Sequence, residues 1–232
     1  MSDKRHQKPY RLLCGRFYLS HFFIFGGIMT QPTFIENTIN YAKQGAEYYK
    51  VFFLEKDYLI YSRDFKNQDY YIVVAQEKNF LHLTGMSLKN KYDAKKFVKK
   101  LINDEIEESD IDPPNSLKRG AIRDKRSILS ELKNFWSQQL EVEEDFTHNK
   151  VTCKLASTNG KCTLGFIDNG SLRPSTLLKG KLTSDKKVPV HCILSRPRNA
   201  KLFDKIEYGE ISAIEQQTLE EIENKLDLNK LR

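Results

Sequence analysis

Apolar positions change their period several times along the chain, and each change predicts an element. Thr33-Phe34-Ile35-Glu36 opens a helical pattern: a threonine cap, a glutamate three residues on, then Ile39 and Ala42 at helical spacing. Gly45 is expected to end or weaken that helix. Three β-rich runs follow, at 49–54, 58–61 and 70–75, separated by charged turns. The stretch Phe80-Leu81-His82-Leu83-Thr84-Gly85 comes directly after the last of them. Two amphipathic helices are then predicted. The first places Tyr92, Ala94, Phe97, Val98, Leu101, Ile102 and Ile106 on one face. Asp112-Pro113-Pro114-Asn115-Ser116 breaks the chain before the second. The second carries Ile128, Leu129, Leu132, Phe135, Trp136 and Leu140, with Lys118, Arg119, Arg123, Lys125 and Arg126 at its start.

Asn159-Gly160 is a strong hairpin signal. A two-residue turn there sets Leu155 opposite Leu164 and Cys153 opposite Phe166 on the core side. Cys162 then faces Ser157 on the other side, so Cys153 and Cys162 do not pair. Arg173-Pro174-Ser175-Thr176-Leu177-Leu178 reads as a short turn with a Ser/Thr pair, and 188–194 as another strand. Residues 211–228 read as a polar-rich helix whose Ile214, Leu219, Ile222 and Leu226 either fold back on the core or bind a partner; folding back is preferred. The mixture predicts an α+β domain with helices packed on an antiparallel sheet.

Composition narrows this little. A chain of 232 residues, 39% hydrophobic and 30% charged, is long enough for one good core. Four scattered cysteines make no disulfide framework, and Cys153, Cys162 and Cys192 read as reduced core residues of a cytoplasmic protein. No CxxC or CxxH pair is present for structural zinc. The net charge is +7, and a net of +4 falls in residues 1–28. The excess is compatible with nucleic acid without being evidence for it. Residues 17–25 resemble a secretory signal, but Ser20 and His21 interrupt the run and no small-x-small cleavage site follows. The preferred reading is a non-native or disordered leader over 1–28. Gly26-Gly27 would be translated ribosome-binding sequence and Met29 the natural start. The main domain is expected over 29–210 and a C-terminal helix over 211–232.

Few residues offer chemistry. His82, between a predicted strand and helix, is an acid or base candidate, the plainer alternative being a ring bonded to a backbone carbonyl. Thr84-Gly85 predicts a tight turn, with a phosphate contact at Thr84 as the second reading. The Lys118–Arg126 cations form either a solvated face or, for Lys125 and Arg126 near helix amides, an anion site; Arg126 is suited to bidentate phosphate binding. Ser175 and Thr176 cap a helix or orient a phosphate. Arg196 and Arg198 grip an RNA backbone or stay exposed, and His191 is read as a sheet residue. There is no P-loop, HExxH, GxSxG or dinucleotide glycine pattern.

Phe80-x-His82-Leu83-Thr84-Gly85 after a β-rich run, a Lys-rich helix, the basic Lys125-Arg126, a hairpin and a Ser/Thr turn together resemble the fourth class of phage-associated Barnase–EndoU–Colicin–RelE-like (BECR) nucleases, over residues 34–208. The resemblance implies helices on one face of an antiparallel sheet and ribonuclease activity without metal or other cofactor. It also implies RNA as partner, with an antitoxin or immunity protein where the context is toxin–antitoxin, and a phage or mobile-element setting. Carried over by position, His82 is the acid or base. Arg126, with Lys125, neutralises the phosphate, and Ser175 or Thr176 orients it. Thr84 fixes the turn or touches a phosphate oxygen, and Arg196 contacts the substrate. The alternative is an inactive RNA- or protein-binding module.

Overall fold

The computed structural model describes residues 31–231, so the leader expected over 1–28 lies outside the described residues. Helix α1 (Phe34–Tyr49) starts as the sequence dictates. The Thr33 hydroxyl accepts from the Glu36 amide at 3.0 Å, and the Glu36 carboxylate accepts from the Thr33 amide at 2.7 Å. Gly45 does not end this helix. It is buried, and a Cβ there would lie 3.2 Å from the Leu129 Cβ, so the glycine serves a close approach between segments. The helix continues into a π-helical turn, Lys50–Leu54, where a strand was expected. A short aromatic-rich run satisfies either geometry, and core packing decided it. Tyr49 stacks on Phe53 at 5.2 Å and leans on Phe80 at 5.0 Å.

Strands β1 (Lys56–Tyr61) and β2 (Tyr70–Val73) follow as predicted. The motif itself is helical: α2 spans Glu77–Thr84, and Gly85, at φ 74°, closes it in the left-handed conformation that glycine adopts without steric cost. The first amphipathic helix is shorter than expected, a 3-10 segment (Lys91–Lys96) leading into α3 (Phe97–Ile102). The second is displaced. Helix α4 is the basic segment alone, Ser116–Arg126, started by Asn115, whose side chain accepts from the Lys118 amide at 2.9 Å. The apolar residues after it form two 3-10 turns, Leu129–Leu132 and Phe135–Ser137, on either side of Asn134 at φ 56°. A left-handed residue cannot continue an α-helix, and asparagine tolerates that conformation.

The remaining strands are β3 (Glu141–Glu144), β4 (Thr147–His148), β5 (Val151–Thr152), β6 (Leu155–Thr158), β7 (Cys162–Asp168), β8 (Leu172–Lys179), β9 (Val188–Pro189), β10 (Cys192–Pro197) and β11 (Lys205–Gly209). A nine-stranded sheet has the order β11-β10-β1-β2-β8-β7-β6-β3-β9, with β4 and β5 forming a separate hairpin. Its pairings are antiparallel except where β2 meets β8 in parallel, at Val73 and Leu172. The β6–β7 hairpin forms, but two residues out of the expected register: Leu155 faces Phe166 and Ser157 faces Leu164. The Asn159 side chain explains the longer turn, since its oxygen accepts from the amides of Lys161 and Cys162, both at 3.0 Å. Cys162 alternates with Leu164 and Phe166 along β7 and so faces the main core with Leu155, not the opposite side as expected, while Cys153 packs apart with Phe146 and Ala156. Burial pushes the thiols of Cys162 and Cys192 up to about 12.

Alternation along the strands separates two cores. Tyr58, Ile60 and Ile193 face the helices, packing with Ala42, Phe80 and Trp136. Leu59, Tyr61, Cys192 and Leu194 face the other way. There the chain end covers them through Ile214, Ile222, Leu226 and Leu231, so the apolar residues of 211–231 fold back on the sheet. The helix in that segment is short: α5 spans Gln216–Ile222, between 3-10 turns. Gly209 holds the path into it. Its φ is 71°, and a Cβ would lie 2.0 Å from the His191 carbonyl oxygen, a backbone atom. Gly209→Ala is expected to cost about 3–5 kcal/mol, from left-handed strain and overpacking together. Urea unfolding reads this as a lowered midpoint with an unchanged slope.

Candidate functional site

Helix α2 crosses beside β8, and between them lies a cleft of about 400 Å³. Lys78, Asn79 and His82 line it from the helix, and Ile167, Asn169, Arg173 and Ser175 from the β7–β8 hairpin. Lys78 and His82 are four residues apart and so share one helix face. Arg173 and Ser175 are two apart on a strand and share one side of it. A bulge sharpens the second pair. Gly165 faces Thr176 and Phe166 faces Pro174, which leaves Ser175 as the extra residue. Pro174 has no amide to offer the ladder, and a bulge is where a strand accommodates that.

Hydrogen bonds set the polar groups. The Ser175 hydroxyl donates to the Gly165 carbonyl at 3.1 Å, which leaves its lone pairs available. The Cys153 thiol lies 3.7 Å from the same hydroxyl. Arg173 donates through Nη2 to the Asn169 carbonyl at 3.4 Å, and its Nε is buried without a hydrogen-bond partner. His82 and Lys78 are exposed. The lining thus presents a guanidinium, an ammonium, an imidazole, a hydroxyl and amides, with no carboxylate among the lining residues. Such a set matches a negatively charged ligand, and the unpartnered Arg173 Nε marks a donor that a buried anion would satisfy.

The candidates named from sequence divide. His82 and Ser175 meet at this cleft. Thr176 does not line it; its γ-methyl lies against Gly165, where a Cβ would come within 2.8 Å of it. Both residues sit mid-strand in β8, not on a turn. Thr84 is only 2% exposed, and its hydroxyl is spent locally, donating to the Leu81 carbonyl at 2.7 Å and accepting from the Met86 amide at 3.2 Å. It shapes the turn and has no face for a phosphate. Lys125 and Arg126 end α4 instead of preceding a helix, so the amides and the positive dipole end expected to help them are absent there. Arg126 does not line the cleft; its guanidinium lies 5.8 Å from the Phe34 ring and 5.1 Å from the Tyr41 ring.

Lys125 is close to the site but occupied. Its ammonium donates to the His82 carbonyl at 2.9 Å, closing the end of α2, and its stem packs on Gly85. Burial lowers its pKa from 10.5 to about 8. The unfolded chain then holds a proton that the folded one has lost between those values, so stability should rise as pH climbs from about 8 towards 10.5. Denaturant titrations across that window should show the rise in the natural chain and not in Lys125→Met. Arg196 is committed to structure: Nε donates to Asp57 at 3.2 Å, Nη1 to the Lys201 carbonyl at 2.6 Å, and its plane lies 4.6 Å from the Phe203 ring. Arg198 donates to Asp57 and to the carbonyls of Phe53, Leu54 and Ala75. Neither is free to grip a backbone. His191 joins the sheet margin, its amide donating to the Tyr61 carbonyl at 2.9 Å.

Two charged cleft residues were not among the candidates named from sequence, Lys78 and Arg173. Helical spacing back from His82 finds Lys78 once 77–84 is taken as a helix. Alternation back from Ser175 finds Arg173 once 172–179 is taken as a strand. Among the described residues no helix is long and apolar enough to cross a membrane. No curated protein and no solved structure matches the chain. Residues 43–191 match the model of one protein family, described as phage-Barnase-EndoU-ColicinE5/D-RelE like nuclease4. That span holds the whole cleft and most of the sheet, including α2, β7 and β8. With well over half of its length matched, the chain belongs to this family of phage-associated BECR-like nucleases.

Proposed function

We propose that the chain is an endoribonuclease that cleaves RNA without a metal ion, acting as a phage, mobile-element or toxin–antitoxin effector. The observation that carries the reading is the convergence of His82, Lys78, Arg173 and Ser175 on one cleft with no carboxylate in its lining. In the reaction the ribose 2′-oxygen attacks the adjacent phosphorus as a base removes its proton. The P–O bond to the 5′-oxygen breaks as an acid protonates that oxygen, leaving a 2′,3′-cyclic phosphate and a 5′-hydroxyl. His82 supplies one of the two proton transfers. Lys78, on the same helix face, supplies the other. Arg173 neutralises the phosphorane, where its fork fits two phosphate oxygens, and Ser175 orients it.

The test is an RNA cleavage assay in excess EDTA with analysis of the ends. Cyclic phosphate ends formed in EDTA support the reading. Cleavage that requires Mg²⁺, or that persists unchanged in both His82→Ala and Arg173→Ala, sinks it. Salt-dependent RNA binding with no product supports instead an inactive binding module.

A further inference from the structure

The cleft leaves the most basic element among the described residues without a role. Helix α4 carries Arg119, Arg123 and Arg126 along one face, at steps of four and three residues, over about 10 Å of axis. All three guanidinia lie over the Phe34 ring of α1, at 5.5, 5.7 and 5.8 Å, and Arg126 also lies over Tyr41. Among the described residues none of the three has a carboxylate partner. The acid within the helix, Asp124, faces Lys179 at 3.8 Å. Three close, uncompensated cations repel one another, and a ring beneath them offsets little of that. A polyanion laid across them would relieve it.

The surroundings fit an RNA strand. Tyr41 is 49% exposed, and it borders a cleft of about 300 Å³ with Gln44, Arg123, Arg126, Ser127 and Ser130. A line of guanidinia for phosphates beside a half-exposed aromatic ring for a base is the combination that holds single-stranded nucleic acid without reading its sequence. Helix α4 also links this face to the cleft, because Lys125, next to Arg126, reaches the His82 carbonyl. We propose that the α1–α4 face is a second RNA-binding surface, where Arg119, Arg123 and Arg126 take the phosphates and Tyr41 stacks a base of a strand whose scissile bond lies in the His82 cleft. The identity of the polyanion rests on the ribonuclease reading above.

The experiment measures binding of the full chain to a 2′-O-methylated RNA of about 20 nucleotides, from 50 to 200 mM salt. That oligonucleotide has no free 2′-hydroxyl and is not cleaved, so failure of the cleavage assay and failure here are separate results. The variant Arg119→Gln/Arg123→Gln/Arg126→Gln should bind about tenfold or more weakly, and its log–log salt slope should fall by about 2. Tyr41→Ala should weaken binding about fivefold or more with the slope unchanged. Unchanged affinity and slope in the triple variant overturn the inference, including the case in which this face serves an acidic protein. Should the triple variant not fold, unchanged affinity in Tyr41→Ala overturns it.

Discussion

His82→Ala should leave a folded protein whose RNA cleavage is slowed about 10²–10⁴-fold, the range lost with a positioned acid or base. The fold should tolerate the change because the imidazole is exposed and no neighbour depends on it. Lys125 bonds the backbone carbonyl of residue 82, which alanine keeps. Phe80 and Leu83, both fully buried, anchor α2 on the core. Activity and stability should therefore separate: His82→Ala removes cleavage with an unchanged melting temperature, and Phe80→Ala lowers stability by about 3–5 kcal/mol. Arg173→Ala should slow cleavage about 10²–10³-fold, and Arg173→Lys should recover only part of that, because an ammonium lacks the fork. If His82→Ala cleaves at the natural rate, the motif is a structural signature and the cleft is not the site.

Asp57→Ala should cost about 3–5 kcal/mol, the price of leaving buried charge without its partner. The Asp57 side chain is 5% exposed and accepts from Arg196 at 3.2 Å and Arg198 at 2.5 Å. Through Arg198 it ties β1 and β10 to the carbonyls of the π-helical turn and of Ala75, just before α2. Without the carboxylate, two guanidinia remain, held against one another at the same spot. Thermal unfolding should show a fall of roughly 10 °C. Asp57→Asn should fall short of that only slightly, since an amide can accept one bond but cancels neither charge. A small effect from both would mean the two arginines are free after all, and would reopen Arg196 as a substrate contact.

Local signals were readable without the structure. The capping box at Thr33 and Glu36, the strands at 58–61 and 70–75, and Gly85 as a turn glycine each depend on neighbours within a few residues. The α+β class and the family followed from those signals and the Phe80–Gly85 letters. Where an apolar run fits two geometries, the letters did not decide. Residues 49–54 became the end of α1 and a π-helical turn, in which Tyr49 and Phe53 pack beside Phe80 and Trp136. Residues 128–140 lost their helix to Asn134, a residue whose left-handed conformation no spacing announces.

The site shows the same division. By itself the sequence named His82 and Ser175 as candidate polar side chains and carried the likeness to a family of nucleases; that they stand on a helix and a strand came from the structure. Only tertiary structure decided which of the chain's many cations join them. Arg173 does, through the bulge opposite Gly165 and the packing of α2 on β8. Arg126, Arg196 and Thr84 do not, because stacking, a buried carboxylate and a local turn claim them. A charge in a sequence states what a side chain can do. Its partner, which lies 139 residues away in the case of Arg196, states what it is left free to do.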